Sequence, residues 1–448
     1  MSLVVDSLTK PVELPLVSDR GVRAAWMYFV TLMVAYGAVI LVGRMPPPLV
    51  DYPDWVFQGV LLRSVLAGHP VPGYALKAYP VPNSLTTVGL GLMDGVLPWA
   101  WAAKVWICGY LGLATIVSWR LMKVSGVRDW RMIVALPSVL FLDLDFWYGH
   151  TSFEIGLCLF LLFASVVMRE GSTVALGGLL VLLFFTHMEA CACALLLLVL
   201  AAHARGKRRC FWAATPTLLL TIWYALGRYL SGNADGRSVA PAAYRYGSPA
   251  FVAYKANTFL KPFGYVHARA GDGSSQTVAI IGAGGLLLLL TCALVIAGCC
   301  FWMLLRRQGF EDRPDHRLLR QFAWVALVIA AVLPQVVFGV ADPGSRLVLA
   351  GVAMGLFAVK WARTQGSVIA LCSVVLSLGN LWQFVRIEAN PEISGVRARL
   401  PGEVLAFAHV EPGMRVHVYA EMERGEMKEP IFQTGIFRLV PKENGRSK

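Results

Sequence analysis

Long apolar runs, joined by short connectors rich in arginine and lysine, constrain this sequence more than any other feature. A helix that crosses a bilayer needs about 20 apolar residues at a rise of ~1.5 Å per residue. The run 173–204 is too long for one span, and its only polar break, Thr186–Glu189, predicts two short helices that meet there. The other apolar runs predict membrane-spanning helices at 22–43, 99–120, 132–149, 152–168, 211–231, 276–305, 322–341, 346–362 and 366–386.

Composition indicates a membrane protein and argues against nucleic acid as a partner. Of the 448 residues, 57% are hydrophobic and only 15% are charged, whereas soluble domains carry about 25% charged residues. The positive charge behind the net value of +13 is concentrated in connectors such as 205–209 and 306–320. Basic residues collect on the cytoplasmic side of membrane helices, so this charge indicates which connectors lie in the cytoplasm. The partner that it indicates is the lipid bilayer.

Placing successive connectors on opposite sides of the membrane predicts the fold class. We expect an all-α polytopic membrane protein with about 11 transmembrane helices, a cytoplasmic N-terminus and an external C-terminus. The first outer loop is expected to contain juxtamembrane helices. The predicted divisions are a cytoplasmic segment 1–21, a transmembrane domain 22–387 with outer loops 44–98 and 232–275, and a small external α/β domain 388–448.

Two segments need separate predictions. The run 84–98 is predicted to be half-inserted within the first outer loop, because counting it as a span would place Arg128 and Arg131 outside the cell. In the C-terminal domain, apolar and polar residues alternate over 413–422, which predicts a strand.

Ionisable residues gather at the predicted outer ends of helices. Ionisable groups at membrane depth are energetically expensive, so their default interpretation is functional. The residues concerned are Asp51, Asp54, Asp143, Asp145, His150, Glu154, His187, Glu189 and Arg346.

Asp51 and Asp54 lie in the first outer loop, directly after the first helix. Asp51 follows the stretch PPPLV, whose prolines restrict φ and stiffen the chain, so its carboxylate is held near the bilayer surface. Its alternative role is a helix cap or a solvated loop charge. Asp54 begins an amphipathic segment, 55–66, that suits a helix lying in the membrane interface. Capping that helix is the role we favour for Asp54.

The stretch DLD places Asp143 and Asp145 two residues apart, with His150 and Glu154 close behind. An Asp-x-Asp pair with neighbouring oxygen ligands suits Mg²⁺ or Mn²⁺. The alternative is interfacial anchoring, shared with the aromatic residues at 146–148.

Three further positions could contact a substrate. Arg346 follows ADPGS at the start of a helix. Its planar guanidinium group suits the oxygen atoms of a phosphate. The alternative is that its side chain extends to the membrane interface, away from the apolar core. His187 and Glu189 could contact a phosphate or a sugar hydroxyl, or form a satisfied turn between helices. Tyr244 and Arg245 belong to an outer loop in which aromatic and basic residues interleave, a composition that suits carbohydrate or interfacial anchoring.

The order of these features resembles the GT-C superfamily of integral-membrane glycosyltransferases. One helix leads to a long outer loop that begins with an acidic residue, and YPVPNSLTT precedes the next helix. Poorly characterised bacterial members have a first loop that reads like Asp-x-Pro-Asn-His. Here DYPDW matches at Asp51 and Pro53, while Asp54 and Trp55 replace the Asn-His pair. The resemblance to these bacterial members covers most of the chain. It includes the stretches WYGHTSFEIGLCLFLL, FFTHMEA, DPGSR and LPGEVLAFAHVEPGMRVHVY.

The resemblance implies transfer of a sugar from a polyprenyl-phosphate donor to a hydroxyl of a glycan, lipid or protein acceptor, with inversion, at the periplasmic face of the bacterial inner membrane. It implies that Asp51 is the general base and that Arg346 stabilises the lipid phosphate. Asp54, Asp143, Asp145 and Glu154 are candidates for a second acid or a metal ligand. A metal cofactor is left open. Candidate contacts to the donor are Arg346, His150, His187, Glu189, Tyr244 and Arg245.

Two other functions compete with this interpretation. A lipid-linked oligosaccharide ligase or polymerase would favour Arg or His in a large outer loop, and 232–275 fits that description. A lipid or sugar transporter or flippase would place charge near the bilayer midplane on broken, repeated helices. Here the charge lies at one interface and no internal repeat is present, so the transporter ranks third.

Overall fold

The computed structural model describes residues 20–43, 49, 52–69, 74–231, 248–263, 272–306, 313–337, 340–361, 363–389 and 435–439. Over these ranges the chain is predominantly helical. The helices in chain order are α1 (Arg20–Val42), α2 (Tyr52–Leu66), α3 (Leu85–Asp94), α4 (Trp99–Ser125), α5 (Trp130–Leu136), α6 (Leu144–Trp147), α7 (Thr151–Met168), α8 (Thr173–Thr186), α9 (Met188–Arg205), α10 (Lys207–Leu230), α11 (Pro249–Leu260), α12 (Asp272–Leu305), α13 (Pro314–Val332), α14 (Pro343–Ala358) and α15 (Arg363–Ala389). The shorter elements are a π-helical turn (Pro137–Phe141), a 3₁₀ turn (Lys261–Phe263) and strands β1 (Tyr74–Leu76), β2 (Val336–Val337), β3 (Val340–Ala341) and β4 (Phe437–Leu439).

Six of the described helices are long and apolar enough to cross a membrane, which agrees with the predicted polytopic class. They are Arg20–Val42, Trp99–Ser125, Thr151–Met168, Lys207–Leu230, Gly282–Leu305 and Arg363–Arg386. Four apolar helices are shorter, namely Trp55–Leu66, Thr173–Thr186, Met188–Ala202 and Pro343–Ala358. The total of about eleven crossings stays a prediction.

Two predicted spans are interrupted in the structure. The span 132–149 is divided into α5, the π-helical turn and α6. Asp143 begins α6 by accepting a hydrogen bond from the backbone of Phe146, at 3.2 Å. The span 322–341 ends early because α13 stops at Val332. Leu333 has extended angles (φ −60°, ψ 140°), as expected for a residue that precedes a proline.

The run 173–204 is divided as predicted. His187 has extended backbone angles (φ −161°, ψ 121°) and separates α8 from α9, which pack against each other. In the run 84–98, α3 has only ten residues. At 1.5 Å per residue it is about 15 Å long, roughly half the thickness of a hydrocarbon core, so it is too short to cross.

Helix α7 lies at the centre of the bundle. It packs against α4, α6, α8 and α9, and 94% of its most apolar 18-residue stretch is buried within the protein. Gly156 allows the start of α9 to approach closely, because a Cβ at this position would lie 2.8 Å from Cβ of His187 and 3.0 Å from Cβ of Ala190. The α8–α9 turn is therefore held beside the first turns of α7.

A short strand from the C-terminal region joins the segment between α1 and α4, which is the predicted first outer loop. Strand β4 pairs with β1 in antiparallel register, and Phe437 packs in a small core with Phe57 and Tyr74. The strand predicted at 413–422 lies outside the described residues, as does the rest of 390–434. The predicted α/β character of the C-terminal domain therefore stays a prediction.

Candidate functional site

The structure brings together most of the ionisable residues that the sequence singled out. Asp143, Asp145, His150 and Glu154 come from α6, α7 and the turn between them. The α8–α9 turn contributes His187 and Glu189, and the first turn of α14 contributes Arg346. Asp51, Tyr244, Arg245 and the side chain of Asp54 lie outside the described residues.

Asp145 and His150 form a close pair across the turn that links α6 to α7. Gly149 allows the turn because it adopts φ +73°, a left-handed conformation that favours glycine. His150 Nδ1 lies 2.6 Å from Asp145 Oδ1, and the imidazole stacks on Tyr148. A carboxylate oxygen at this distance can only accept, so Nδ1 carries the proton and donates it to Asp145.

Arg346 joins this pair to the α8–α9 turn. Its Nη1 donates to Glu189 Oε2 at 3.0 Å, and its Nε lies 3.8 Å from Asp145 Oδ1. Its Nη2 approaches His150 Nδ1 at 3.4 Å, but that nitrogen already donates to Asp145 and cannot also accept. The guanidinium lies over the ring of Phe153, 5.3 Å from its centroid. We call Asp145, His150, Glu189 and Arg346 the charged cluster.

Asp342 fixes the beginning of α14 next to the charged cluster. Its Oδ2 accepts from Lys261 Nζ at 2.9 Å, and its Oδ1 accepts from the hydroxyl groups of Tyr254 and Thr258 at 3.1 and 3.3 Å. The backbone of Asp342 is left-handed, with φ +51°. These contacts hold α11 and the 3₁₀ turn against the helix that carries Arg346.

A second group of acids lies deeper in the helices. Asp143, Glu154 and Tyr110 are almost fully buried, at 0%, 1% and 1% exposure. The Tyr110 hydroxyl lies 2.7 Å from the carbonyl oxygen of Phe141 and 2.6 Å from Glu154 Oε2. A tyrosine has one hydroxyl proton and the carbonyl can only accept. If Tyr110 donates to Phe141, Glu154 must donate to Tyr110 and so must be protonated.

Asp143 extends this second group by one carboxyl. Asp143 Oδ2 and Glu154 Oε1 are buried and have no hydrogen-bond partner among the described residues. Two buried carboxylates with no donor between them repel each other when both are ionised, which favours protonation of at least one of them. We call Asp143, Glu154 and Tyr110 the protonated group.

The two aspartates of the DLD stretch therefore have opposite electrostatic environments. Burial raises the pKa of Asp143 well above its usual range, and the negative charge of Asp145 adds to this effect. Burial also acts to raise the pKa of Asp145. Its net pKa is nevertheless lowered, because the hydrogen bond and charge of His150 and the charges of Arg346 and Lys261 outweigh burial.

His187 and Glu189 each have a buried polar atom without a hydrogen-bond partner in the described part of the chain. His187 is 6% exposed, its ring packs against Phe153, and its Nδ1 has no hydrogen-bond partner among the described residues. The same holds for Glu189 Oε1. Burial, with the positive charges of Arg346 and His150, lowers the pKa of His187 well below its usual range. A neutral imidazole and a carboxylate oxygen are suited to bind hydroxyl groups.

The predicted Mg²⁺ or Mn²⁺ site is not formed by the residues that the structure describes. Within them, no group of three or more His, Cys, Asp or Glu side chains is arranged to hold a metal ion. Asp143 is engaged as the cap of α6, whereas Asp145 is engaged by His150.

The charged cluster borders the first outer loop. A Cβ on Gly149 would lie 2.7 Å from the backbone nitrogen of Tyr52 and 3.0 Å from its Cβ. Tyr52 is fully buried, and its hydroxyl donates to the carbonyl of Ala103 at 2.6 Å. The residue that follows Asp51 in the chain is therefore packed against the turn between Asp145 and His150.

The charged cluster is partly exposed at its surface. The side chains of Arg346, His150 and Lys261 are 14%, 19% and 22% exposed. An arginine carries five N–H donors, and the contacts with Glu189 and Asp145 use only some of them. The arrangement can therefore bind an anionic group at its surface while its carboxylates keep Arg346 in a defined orientation.

The sequence did not identify Tyr110, Lys261 or Asp342 as members of the site. A tyrosine within an apolar helix is a weak signal for Tyr110. Lys261 lies in the predicted loop 232–275, where aromatic and basic residues are common. Asp342 lies in the stretch DPGSR, in which Arg346 is the stronger signal for phosphate binding. Comparison of the chain with protein-family models, with curated proteins and with solved structures finds no match.

Proposed function

We propose that this protein is a membrane glycosyltransferase of the GT-C type that uses a polyprenyl-phosphate-linked sugar as donor. One observation carries the proposal. The backbone of Tyr52, directly after Asp51, packs against Gly149 beside the charged cluster. A first loop held beside a partly buried arginine and histidine is the arrangement that such a reaction needs.

In this reaction the Asp51 carboxylate takes the proton of an acceptor hydroxyl as the oxygen attacks the anomeric carbon. The bond between that carbon and the phosphate oxygen breaks, and its electron pair leaves with the polyprenyl phosphate. Attack opposite the leaving group inverts the anomeric centre. General base catalysis contributes roughly 10²–10⁴-fold, and a fixed cation stabilises the charge that develops on the leaving group.

The charged cluster supplies donor-binding groups for this reaction. Arg346, His150 and Lys261 are accessible cationic or N–H-bearing groups that suit the donor phosphate. Glu189 Oε1 and His187 Nδ1 suit hydroxyl groups of the sugar. We propose no step through a metal ion.

Pairing of β4 with β1 supports the predicted topology. The segment after α1 and the segment after α15 must lie on the same side of the membrane, because their strands are hydrogen-bonded. If α1 crosses the membrane, the chain crosses it an odd number of times up to β4, as in the predicted arrangement. We propose that this shared side is the periplasmic face of a bacterial inner membrane, with the N-terminus in the cytoplasm.

Purified protein supplied with labelled polyprenyl-phosphate sugars and a panel of hydroxyl acceptors tests the proposal. We expect Asp51→Asn to lower the transfer rate by about 10²-fold or more. The matched control is Asp54→Asn, which we expect to retain most activity because Asp54 is assigned a capping role. Undiminished transfer by Asp51→Asn would refute the base, and binding without transfer by the wild type would refute the enzyme.

The contact between the first loop and the charged cluster can be tested separately. Gly149→Ala adds a methyl group against Tyr52 at a position with φ +73°. The control Gly206→Ala has a comparable φ of +91° but open space around its Cβ. If the contact aligns the base, Gly149→Ala lowers kcat much more than Gly206→Ala does. Equal losses in the two variants would mean that backbone strain alone matters.

A second candidate is a lipid-linked oligosaccharide ligase or polymerase. The observation in its favour is that the large outer loop contributes Lys261 to Asp342, beside Arg346. The same assay separates the two functions when the donors include lipid-linked oligosaccharides. Transfer of an oligosaccharide block, with no transfer from monosaccharide donors, would favour the ligase.

A further inference from the structure

We propose that β4, near the C-terminus, is a positioning element that holds the first outer loop against the charged cluster. This inference rests on the proposed function, in which the first loop carries the base. It assigns a role to a segment that is remote in sequence from every candidate site residue.

Backbone contacts attach β4 to the first loop. Tyr74, Ala75 and Leu76 pair with Leu439, Arg438 and Phe437. The backbone nitrogen of Lys77 donates to the carbonyl of Ile436 at 2.9 Å, and Lys77 Nζ donates to the carbonyl of Gly435 at 3.0 Å. Backbone pairing of this kind adds a strand to an exposed edge, which is a known mode of segment recognition.

Side-chain packing connects β4 to helix α2. Phe437 is fully buried, and its ring meets Tyr74 edge to face, with the ring centroids 6.3 Å apart. Tyr74 in turn meets Phe57 of α2, with a centroid separation of 6.2 Å. Gly435 adopts φ +49° and lies directly on the side chain of Gln58, so that a Cβ there would clash with Gln58 Oε1.

Helix α3 continues the connection from α2 to the charged cluster. Thr87 donates to Gln58 Oε1 at 3.0 Å, and Ser152 donates to Thr86 at 2.9 Å. Ser152 lies in the first turn of α7, two residues after His150. The N-terminal end of α2 is meanwhile held at Tyr52 by Gly149.

Helix α2 is thus held from two directions. Gly149, in the turn between Asp145 and His150, contacts its first residue. Strand β4 contacts it through Phe57 and Gln58, about one and a half helical turns later. Since a misplacement of ~1 Å can reduce a rate by about 10²-fold, loss of β4 should impair the chemistry of a first-loop base more than it impairs donor binding.

Hydrogen exchange on the full-length protein tests the structural part. A stop codon after Thr434 removes β4, and the matched control removes only 441–448. We expect the first truncation to speed amide exchange in α2 and β1 and the control to leave both at wild-type rates. Unchanged exchange in α2 after loss of β4 would overturn the proposal, whether or not the protein transfers sugar.

Steady-state kinetics test the positioning part. We expect Phe437→Ala to lower kcat about 10-fold with little change in KM for the donor, and Phe437→Leu to restore most of kcat. Phe322→Ala, at an equally buried phenylalanine of α13, controls for general destabilisation. A rise in donor KM with unchanged kcat would contradict a positioning role.

A reversible cross-link provides the sharpest test. Ala75 and Arg438 are register partners, so Ala75→Cys with Arg438→Cys places two thiols across the strand pair. Mild oxidation would join the two sulfur atoms in a disulfide, with the added oxidant taking up two electrons and two protons. In the Phe437→Ala background we expect oxidation to recover kcat and reducing agent to remove the recovery. A cross-link that forms, as seen in linked peptides, without recovery of kcat would refute positioning.

If the wild-type protein transfers no sugar, the proposed function fails. Hydrogen exchange then still decides whether β4 holds α2. If transfer is present and Asp51 matters, but loss of β4 leaves α2 and kcat unchanged, only the positioning role fails.

Discussion

Asp143 and Asp145 lie two residues apart, yet their surroundings make them chemically different acids. Asp145 is ionised because the His150 imidazole and the Arg346 guanidinium lie within a few ångströms of it. Asp143 faces Glu154 and the cap of α6, where no cation is in contact with it within the described structure. The comparison teaches that an Asp-x-Asp stretch does not by itself define a metal site, since the partners of each carboxylate decide its charge.

The two groups also differ in access. The charged cluster borders the first outer loop and exposes part of Arg346, whereas the protonated group is sealed between α4, α6 and α7. The charged cluster therefore has the exposed atoms that ligand binding would need, whereas the protonated group is enclosed by the helices packed around it.

The largest effect is expected from Asp145→Asn, which removes the charge that pairs with His150 and Arg346. Breaking a buried ion pair costs about 3–5 kcal/mol, so we expect a loss of about 3 kcal/mol in the free energy of unfolding. Thermal unfolding in detergent, followed by intrinsic fluorescence, measures it. The loss should shrink at low pH. Because the native pKa of Asp145 is lowered, its stabilisation is complete above the usual carboxyl pKa of about 3.9 and disappears as the pH falls towards the native value.

A smaller effect is expected from Arg346→Lys. Lysine keeps the positive charge but loses the planar fork that contacts Glu189 and Asp145 together. We expect a loss of about 1–2 kcal/mol in stability and a rise in donor KM of about 10-fold. Arg346→Gln, which also removes the charge, should be worse on both measures. Equal behaviour of the two variants would show that the charge of Arg346 is unimportant.

Tyr110→Phe should have an effect of about 1 kcal/mol, the net value of a typical hydrogen bond. The change deletes the hydroxyl that links Glu154 to the Phe141 carbonyl and keeps the aromatic ring. The unfolding midpoint should fall slightly, and the infrared carbonyl band of protonated carboxylic acids should shift as Glu154 loses its partner. Glu154→Gln should remove part of that band. A band unaffected by Glu154→Gln would contradict the protonated state.

The smallest effect near pH 4 is expected from Asp143→Asn, because an amide resembles a protonated carboxyl. The native pKa of Asp143 is raised, so the wild-type protein loses stability as the pH rises above about 3.9 towards the native value. Asparagine does not ionise. The stability of Asp143→Asn relative to wild type should therefore increase as the pH rises above about 4, the reverse of the trend for Asp145→Asn. Parallel trends in the two variants would contradict the opposite pKa shifts of Asp143 and Asp145.

Much of the architecture could be predicted from the sequence because the relevant signals are local. Length and hydropathy located the long helices α1, α4, α7 and α10, and the break at His187 was visible as polar residues within an apolar run. The π-helical turn and the β2–β3 hairpin were missed. An apolar run shows no internal boundary when Pro137 or Pro334 interrupts it without polar neighbours.

The residues of the candidate site also divide into those that the sequence identified and those that it did not. The cost of ionisable groups at membrane depth marked Asp145, His150, Glu189 and Arg346 one by one, and their gathering at the same helix ends followed from topology. Tyr110 and Lys261 carried no comparable signal, because a hydroxyl or an amine is common at their positions in membrane helices and loops.

The sequence by itself therefore determined the membrane class, the principal helices and the set of residues that would be costly in lipid, since each depends on composition over a single stretch of chain. The tertiary structure alone decided which carboxylates are charged, that Asp342 anchors α11 beside Arg346, and that β4 completes the first outer loop. These outcomes depend on distances between residues up to hundreds of positions apart. Electrostatic and packing energies follow those distances, and no local pattern encodes them.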